Sequence, residues 1–194
     1  MSYNTLKEII ENRRTIKPDF FTGEQIADEE VREILSTANW APTHGYTEPW
    51  RFVVYSEDGR ARLGQFLADL DQPDKEAEDF NQVRYDRLKN RPLMASHVIG
   101  IAMKRGDNPK IPEIEEVAAV SMAVQNIWLS AHAMGYGGYW STGALAFKEE
   151  TRNFFGLGDG DKALGFFYLG KPAKQGMPGR RLSPIDEKLS WVNS

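Results

Sequence analysis

The run EIEEVAAVSMAVQNIWLSAHAMGYGG, residues 113–138, reads as one long helix closed by a glycine-rich turn. Val117, Val120, Val124, Ile127, Trp128, Ala131 and Met134 recur at steps of three and four, the spacing of a helix face. The remaining faces carry Ala118, Ala119, Ala123 and Ser130, so the helix is apolar almost all round. Such a helix is buried on several sides, within a core or between subunits. Glu113, Glu115 and Glu116 open it, where the helix dipole favours negative charge, and they read as structural. Gly135-Tyr136-Gly137-Gly138 ends it, and Tyr139 to Thr142 begins an extended segment.

Outward from this helix, elements alternate in mixed order. Residues 95–103 read as a buried strand, and residues 104–112, with Gly106, Asn108 and two prolines, as a loop. Downstream come a short helix near residues 147–154 and a final strand over residues 163–169. Toward the N-terminus, residues 3–12 form a helix on Leu6, Ile9 and Ile10, broken at Lys17-Pro18-Asp19. A second helix carries Ile26, Val31, Ile34 and Leu35 up to Ala41-Pro42. A polar turn then leads into the strand Trp50-Arg51-Phe52-Val53-Val54-Tyr55. Ser56 caps a helix over residues 57–70 striped by Leu63, Phe66, Leu67 and Leu70. Residues 71–92 are highly charged and suggest a peripheral excursion or lid, helical or not. The tail from Gly170 is rich in proline and glycine and ends on Trp191-Val192. The fold class is α+β, with four strands and five or six helices in a single domain over residues 1–194.

Composition narrows the chemistry. The 194 residues include no cysteine, which removes disulfides, thiolate nucleophiles, iron–sulfur clusters and cysteine-ligated zinc. His44, His97 and His132 form no metal-binding spacing, so no metal site is expected. A net charge of -4 argues against a nucleic-acid surface. Without an apolar leader or a membrane-length apolar run, a cytoplasmic location and no membrane partner are expected.

The glycine clusters fail as nucleotide fingerprints. Gly135-Tyr136-Gly137-Gly138 follows a helix instead of opening one, and Gly156 to Asp161 lacks the lysine of a phosphate loop. Arg13-Arg14-Thr15 suits a phosphate, since guanidinium presents paired donors to oxyanions. It equally suits a cationic helix end. His44, in a proline-flanked turn, reads as a ligand contact or a solvated turn residue. Trp140-Ser141-Thr142-Gly143 offers an aromatic wall, two hydroxyls and exposed amides, or is an ordinary strand end. Arg180-Arg181 is a second cationic pair or a solvated tail. His97 and His132, within apolar segments, read as core histidines, and Trp128 as core. No Ser–His–Asp or paired-carboxylate arrangement emerges.

Taken in order, these segments resemble the nitroreductase family of FMN-dependent oxidoreductases. Asn12-Arg13-Arg14-Thr15-Ile16-Lys17 is similar to its N-terminal arginine signature. Ala41-Pro42-Thr43-His44 through Glu48-Pro49-Trp50-Arg51-Phe52-Val53-Val54 resembles a second segment, with Glu48 where glutamine is common. Gly137-Gly138-Tyr139-Trp140-Ser141-Thr142-Gly143 and Gly165-Phe166-Phe167-Tyr168-Leu169-Gly170-Lys171-Pro172 complete four matches in register, spanning nearly the whole chain. The basic tail falls where the family carries a phosphate-contacting arginine. Residues 71–112 have no diagnostic match, and in this family such insertions shape the substrate pocket.

The resemblance implies a central, mostly antiparallel sheet flanked by helices. It also implies a homodimer with FMN sites at the subunit interface and a C-terminal arm, residues 171–194, reaching the partner. Carried over by residue, Arg13 and Thr15, with Arg180 or Arg181, hold the FMN phosphate, assisted by Arg14. His44 of the partner subunit contacts the flavin, Trp140, Ser141 and Thr142 line its edge, and Lys17 lies toward its pyrimidine end. NADPH or NADH serves as electron donor and a nitroaromatic, quinone or unsaturated carbonyl compound as acceptor, in ping-pong order, with no catalytic side chain. The alternatives are a non-catalytic module that stores or senses FMN, and a plain interaction protein.

Overall fold

All seven residues of His97–Met103 are buried, and they form strand β2. A strand buried on both faces lies inside a sheet that is covered on both sides. In a computed structural model, which describes residues 2–174, 176 and 178–193, β2 lies between β1 (Trp50–Tyr55) and β4 (Lys162–Gly170). β3 (Gly137–Ser141) completes the order β1-β2-β4-β3, and all three pairings are antiparallel. β2 and β3 therefore run parallel with β4 between them. Helix α5 (Glu113–Ala133) makes the crossover.

Side chains alternate across the sheet. Ile99, Ile101 and Met103 of β2 and Phe167 and Leu169 of β4 face α5 and α2 (Asp28–Ser36), packing with Ile34, Val120, Val124 and Ile127. Val98, Ala102, Phe166 and Tyr168 face the other way, onto Leu63 and Leu67 of α3 (Glu57–Asp71) and Phe155 beyond α6 (Glu149–Phe154). Ser56 stands at the N-cap of α3, but its side chain makes no capping bond. His97 is the core histidine expected of it. Its Nδ1 lies 2.9 Å from the Ser96 hydroxyl and its Nε2 2.9 Å from Asp28.

The charged segment expected to be peripheral is mostly exposed, and its helical part is anchored to α3. Helix α4 (Gln82–Asn90) packs on α3 so closely that a Cβ at Gly64 would fall 2.0 Å from the Lys89 carbonyl. Tyr85 is buried, donating to Asp69 and accepting from Gln65, both at 2.6 Å. Arg84 forks onto Asp71 at 2.5 and 2.6 Å. Arg84 and Tyr85 thus tie the segment to the C-terminal end of α3, while most of its other charges stay exposed.

Some apolar surface is left outside. Helix α1 (Tyr3–Asn12) buries no residue and exposes Tyr3, Leu6 and Ile10. The outward side of α5 exposes Ile114 and Met122, and the tail exposes Leu182, Ile185, Leu189, Trp191 and Val192. No helix among the described residues is long and apolar enough to cross a membrane.

One irregularity shapes the end of β3. Ile101 opposes Gly165 and Ala102 opposes Ala163, so Leu164 is an extra residue in β4. Gly165 takes φ +131, and a Cβ there would lie 2.5 Å from the Ser141 carbonyl and 2.6 Å from Trp140 Nε1. That indole donates to the Leu164 carbonyl at 3.1 Å. Gly165→Ala is therefore expected to lower stability by about 2–4 kcal/mol through backbone strain and overpacking, measured by urea unfolding. A neutral substitution would contradict this reading of the bulge.

Candidate functional site

Helix α1 ends at Arg13, where the chain turns extended and runs beside β3. Thr15 bridges Gly138, and the Ile16 N–H donates to the Gly138 carbonyl at 3.0 Å. This lays Arg13 over the C-terminal part of α5, its guanidinium 4.3 Å above the Trp128 ring. Two donors here, Arg13 Nη1 and Trp128 Nε1, are buried without a hydrogen-bond partner. A buried donor left unpaired costs roughly 1–3 kcal/mol, more when charged.

Further positive charge surrounds them. Arg14 donates to the Glu11 and Arg13 carbonyls at 2.6 and 2.8 Å, closing the end of α1. The tail passes flat across Arg14: a Cβ at Gly179 would lie 2.1 Å from its Nη2. Burial, then Arg14 and Arg181, hold the Arg13 pKa below its ordinary value. Burial, then Arg13 and Arg14, likewise push His132 down. A cleft of about 380 Å³ opens between Arg14, Ile16, His132, Tyr136 and Gly179. The C-terminal ends of α1 and α5, each with partial negative charge, make this gathering of cations tolerable. An anion with several acceptor oxygens would satisfy it. A phosphate group fits these donors.

Of the other predicted residues, Thr15 and Lys17 are exposed beside this cleft. The Gly138 carbonyl, bonded to Ile16, points away from β4. Strand alternation turns the amide groups of Trp140 the same way, onto the free edge of β3. From Gly138 to Thr142 that edge runs about 13 Å. Ser141 points to the opposite face and lines a second cavity. Arg181 is the tail cation that acts on Arg13, whereas Arg180 is exposed with its carbonyl bonded by Arg181.

His44 lies elsewhere. Its Nδ1 is 2.6 Å from Glu115 in the first turn of α5. Thirteen residues of helix separate Glu115 from Trp128, which puts His44 and Arg13 about 20 Å apart along α5. The chain alone does not bring the two together. The loop around His44 is strained, with φ of 58 at Gly45, 54 at Tyr46 and 41 at Glu48. Strain of this kind concentrates at functional sites.

Of two residues read as core, Trp128 does pack on the core against Phe167, whereas His132 lines the cleft instead. Trp128 is a half-buried platform under Arg13, and His132, one turn further, is half-exposed beside it. Only their place on the last turns of α5 hinted at this. For His132, a depressed folded-state pKa means the unfolded chain binds a proton that the folded chain refuses. Stability is then full above the ordinary value of 6.5 and falls as pH drops through it. The wild type is expected to lose more stability than His132→Gln between about pH 7.5 and 5.5 in urea unfolding. Parallel curves would remove His132 from the cationic cluster.

Known proteins resemble the chain throughout. A family model described as "Nitroreductase family" matches residues 10–171. The chain is 35% identical over 144 residues to the Escherichia coli (strain K12) protein named "Putative NAD(P)H nitroreductase YdjA", covering 74% of this chain and 76% of that one. A nitroreductase-like family protein from Bacillus cereus superposes with a TM-score of 0.86 at 26% identity, over 100% of this chain and 99% of that chain. A Desulfovibrio desulfuricans structure containing FMN superposes at 0.74, with 26% identity and the same coverage.

Proposed function

The chain belongs to the nitroreductase family, and we propose that it is an FMN-dependent oxidoreductase whose sites form between two copies of the chain. The buried, unpartnered Arg13 Nη1 beside a cleft lined by Arg14 and His132 is the observation that carries this reading. Arg13, Thr15 and Arg181 hold the FMN phosphate, with Arg14 and Arg180 adding positive charge. Trp140, Ser141 and Thr142 border the flavin along the free edge of β3, with the Trp140 amide groups as hydrogen-bonding partners. Lys17 stands toward the pyrimidine end, where a cation stabilises negative charge gathered on the ring.

Bound FMN supplies the redox chemistry, taking hydride from NADPH or NADH and passing electrons to a nitroaromatic, quinone or related acceptor in ping-pong order. The protein's share is binding, orientation and electrostatics. No side-chain nucleophile or general acid enters.

Assembly as a homodimer is supported by three observations. Helix α1 buries nothing, although ten residues are too few for a stable helix in isolation. The outward stripe of α5 and the tail carry exposed apolar side chains. His44 and Arg13 sit at opposite ends of α5, so antiparallel packing of two α5 helices brings His44 of the partner subunit toward each Arg13. Glu115 engages Nδ1 of that histidine, fixes its ring and leaves Nε2 for the flavin.

FMN-loaded protein is expected to show the flavin's visible absorption and to bleach on anaerobic addition of NADPH or NADH. Failure to load FMN would sink the proposal. A stable yellow protein bleached by neither nucleotide would mark a storage or sensing module instead. Arg13→Ala should weaken FMN binding by about 1.5–3 kcal/mol, the scale of a charge-assisted hydrogen bond, in a flavin-fluorescence titration. Unchanged affinity would assign Arg13 to the fold alone.

A further inference from the structure

The second cavity, about 450 Å³, lies on the sheet face opposite α5, between α3–α4 and the ends of β3 and β4. Its wall combines apolar side chains such as Leu67, Leu145 and Phe166 with three arginines, Arg84, Arg87 and Arg91. Asp71 is the one carboxylate lining it, and Arg84 already engages both of its oxygens. Arg87 and Arg91 therefore leave the wall with an excess of positive charge.

Arg91 is the unusual member. Its guanidinium lies 5.0 Å from the centroid of Tyr139 and 5.6 Å from that of Tyr168. Its Nε is buried with no hydrogen-bond partner, and no acceptor among the described residues bonds to the group. Aromatic faces stabilise a cation without accepting its in-plane N–H groups. The donor fork is thus held in place and free, the arrangement that suits a carboxylate. Tyr168, only 3% exposed, lines the same cavity with a hydroxyl that bonds to nothing among the described residues. Burial pushes its pKa up to about 12, so it stays a neutral donor.

We propose that this cavity is an anion subsite for the electron acceptor, in which Arg91 and Tyr168 receive a carboxylate carried on an apolar or aromatic body. Ser141, Gly143 and Ala144 form part of its wall, and they continue the Trp140–Thr142 run assigned above to the flavin edge. An acceptor anchored by its carboxylate thereby reaches that edge with its reducible group. The assignment rests on the flavin reading for its place beside the cofactor, but not for the anion pocket itself.

Two measurements test it. Calorimetric titration of the FMN-loaded protein with benzoate is expected to give one site per chain, with methyl benzoate at least about tenfold weaker. Arg91→Met and Tyr168→Phe should each weaken benzoate, the former by about tenfold or more. In turnover, the ratio of kcat/KM for para-nitrobenzoate to that for nitrobenzene should fall by a similar factor in Arg91→Met. Should that variant not fold, Tyr168→Phe and Arg91→Lys, which keeps the charge but loses the fork, carry the same comparisons. Benzoate binding indifferent to both positions, or equal affinity for methyl benzoate, overturns the subsite whatever the flavin does. Arg91-dependent benzoate binding in a protein that takes up no FMN would instead leave the pocket an anion site and overturn its role beside a flavin.

Discussion

Helix α5 carries more apolar surface than the sheet beneath it can cover, and the rest of the molecule is arranged around that fact. One side, through Val120, Val124 and Ile127, seals the central strands. The other leaves Ile114 and Met122 in solvent. Its first turn holds His44 through Glu115, and its last turns provide Trp128 and His132 beneath Arg13. A rigid rod of this length keeps two parts of one predicted site apart within a chain. In the proposed dimer, a second copy packed antiparallel on the same helix would restore them, joining the demands of burial to those of function.

The charge distribution makes a parallel point. Arg13, Arg14, Arg181 and His132 come together near the C-terminal end of α5, and burial, with the neighbouring arginines, lowers the pKa of both Arg13 and His132. Gathering like charges around unpaired buried donors is unfavourable unless something else gains from it. A phosphate group supplies both the charge and the acceptors. The bland alternative, a cationic cap on the ends of α1 and α5, accounts for Arg14, which bonds two carbonyls, but not for the orphaned Nη1 of Arg13.

Much of the fold was legible in the sequence because its signals are local. The steps of three and four in α5, the unbroken apolar run of β2 and the aromatic strand beginning at Trp50 each reflect burial of a single element. The Arg13-Arg14-Thr15 and Trp140-Ser141-Thr142 runs stand out as candidates through equally local signals. What escaped depends on distant partners. The anchoring of α4 was hidden because the partners of Tyr85 and Arg84, Asp69 and Asp71, lie on α3. His132 looked like His97, and only the approach of Arg13 from the other end of the chain separates the two. The bulge at Leu164 was hidden too, although Gly165 within an otherwise bulky strand was its one visible trace.

The central claim is that a complete flavin site requires two chains. Sedimentation velocity on FMN-loaded protein, followed at the flavin's visible absorption band and compared with the protein's ultraviolet signal, tests it most directly. The account predicts that all bound flavin sediments with a particle of two 22.0 kDa chains, with one FMN per chain. Flavin sedimenting with a single chain, tightly bound and stoichiometric, would contradict it.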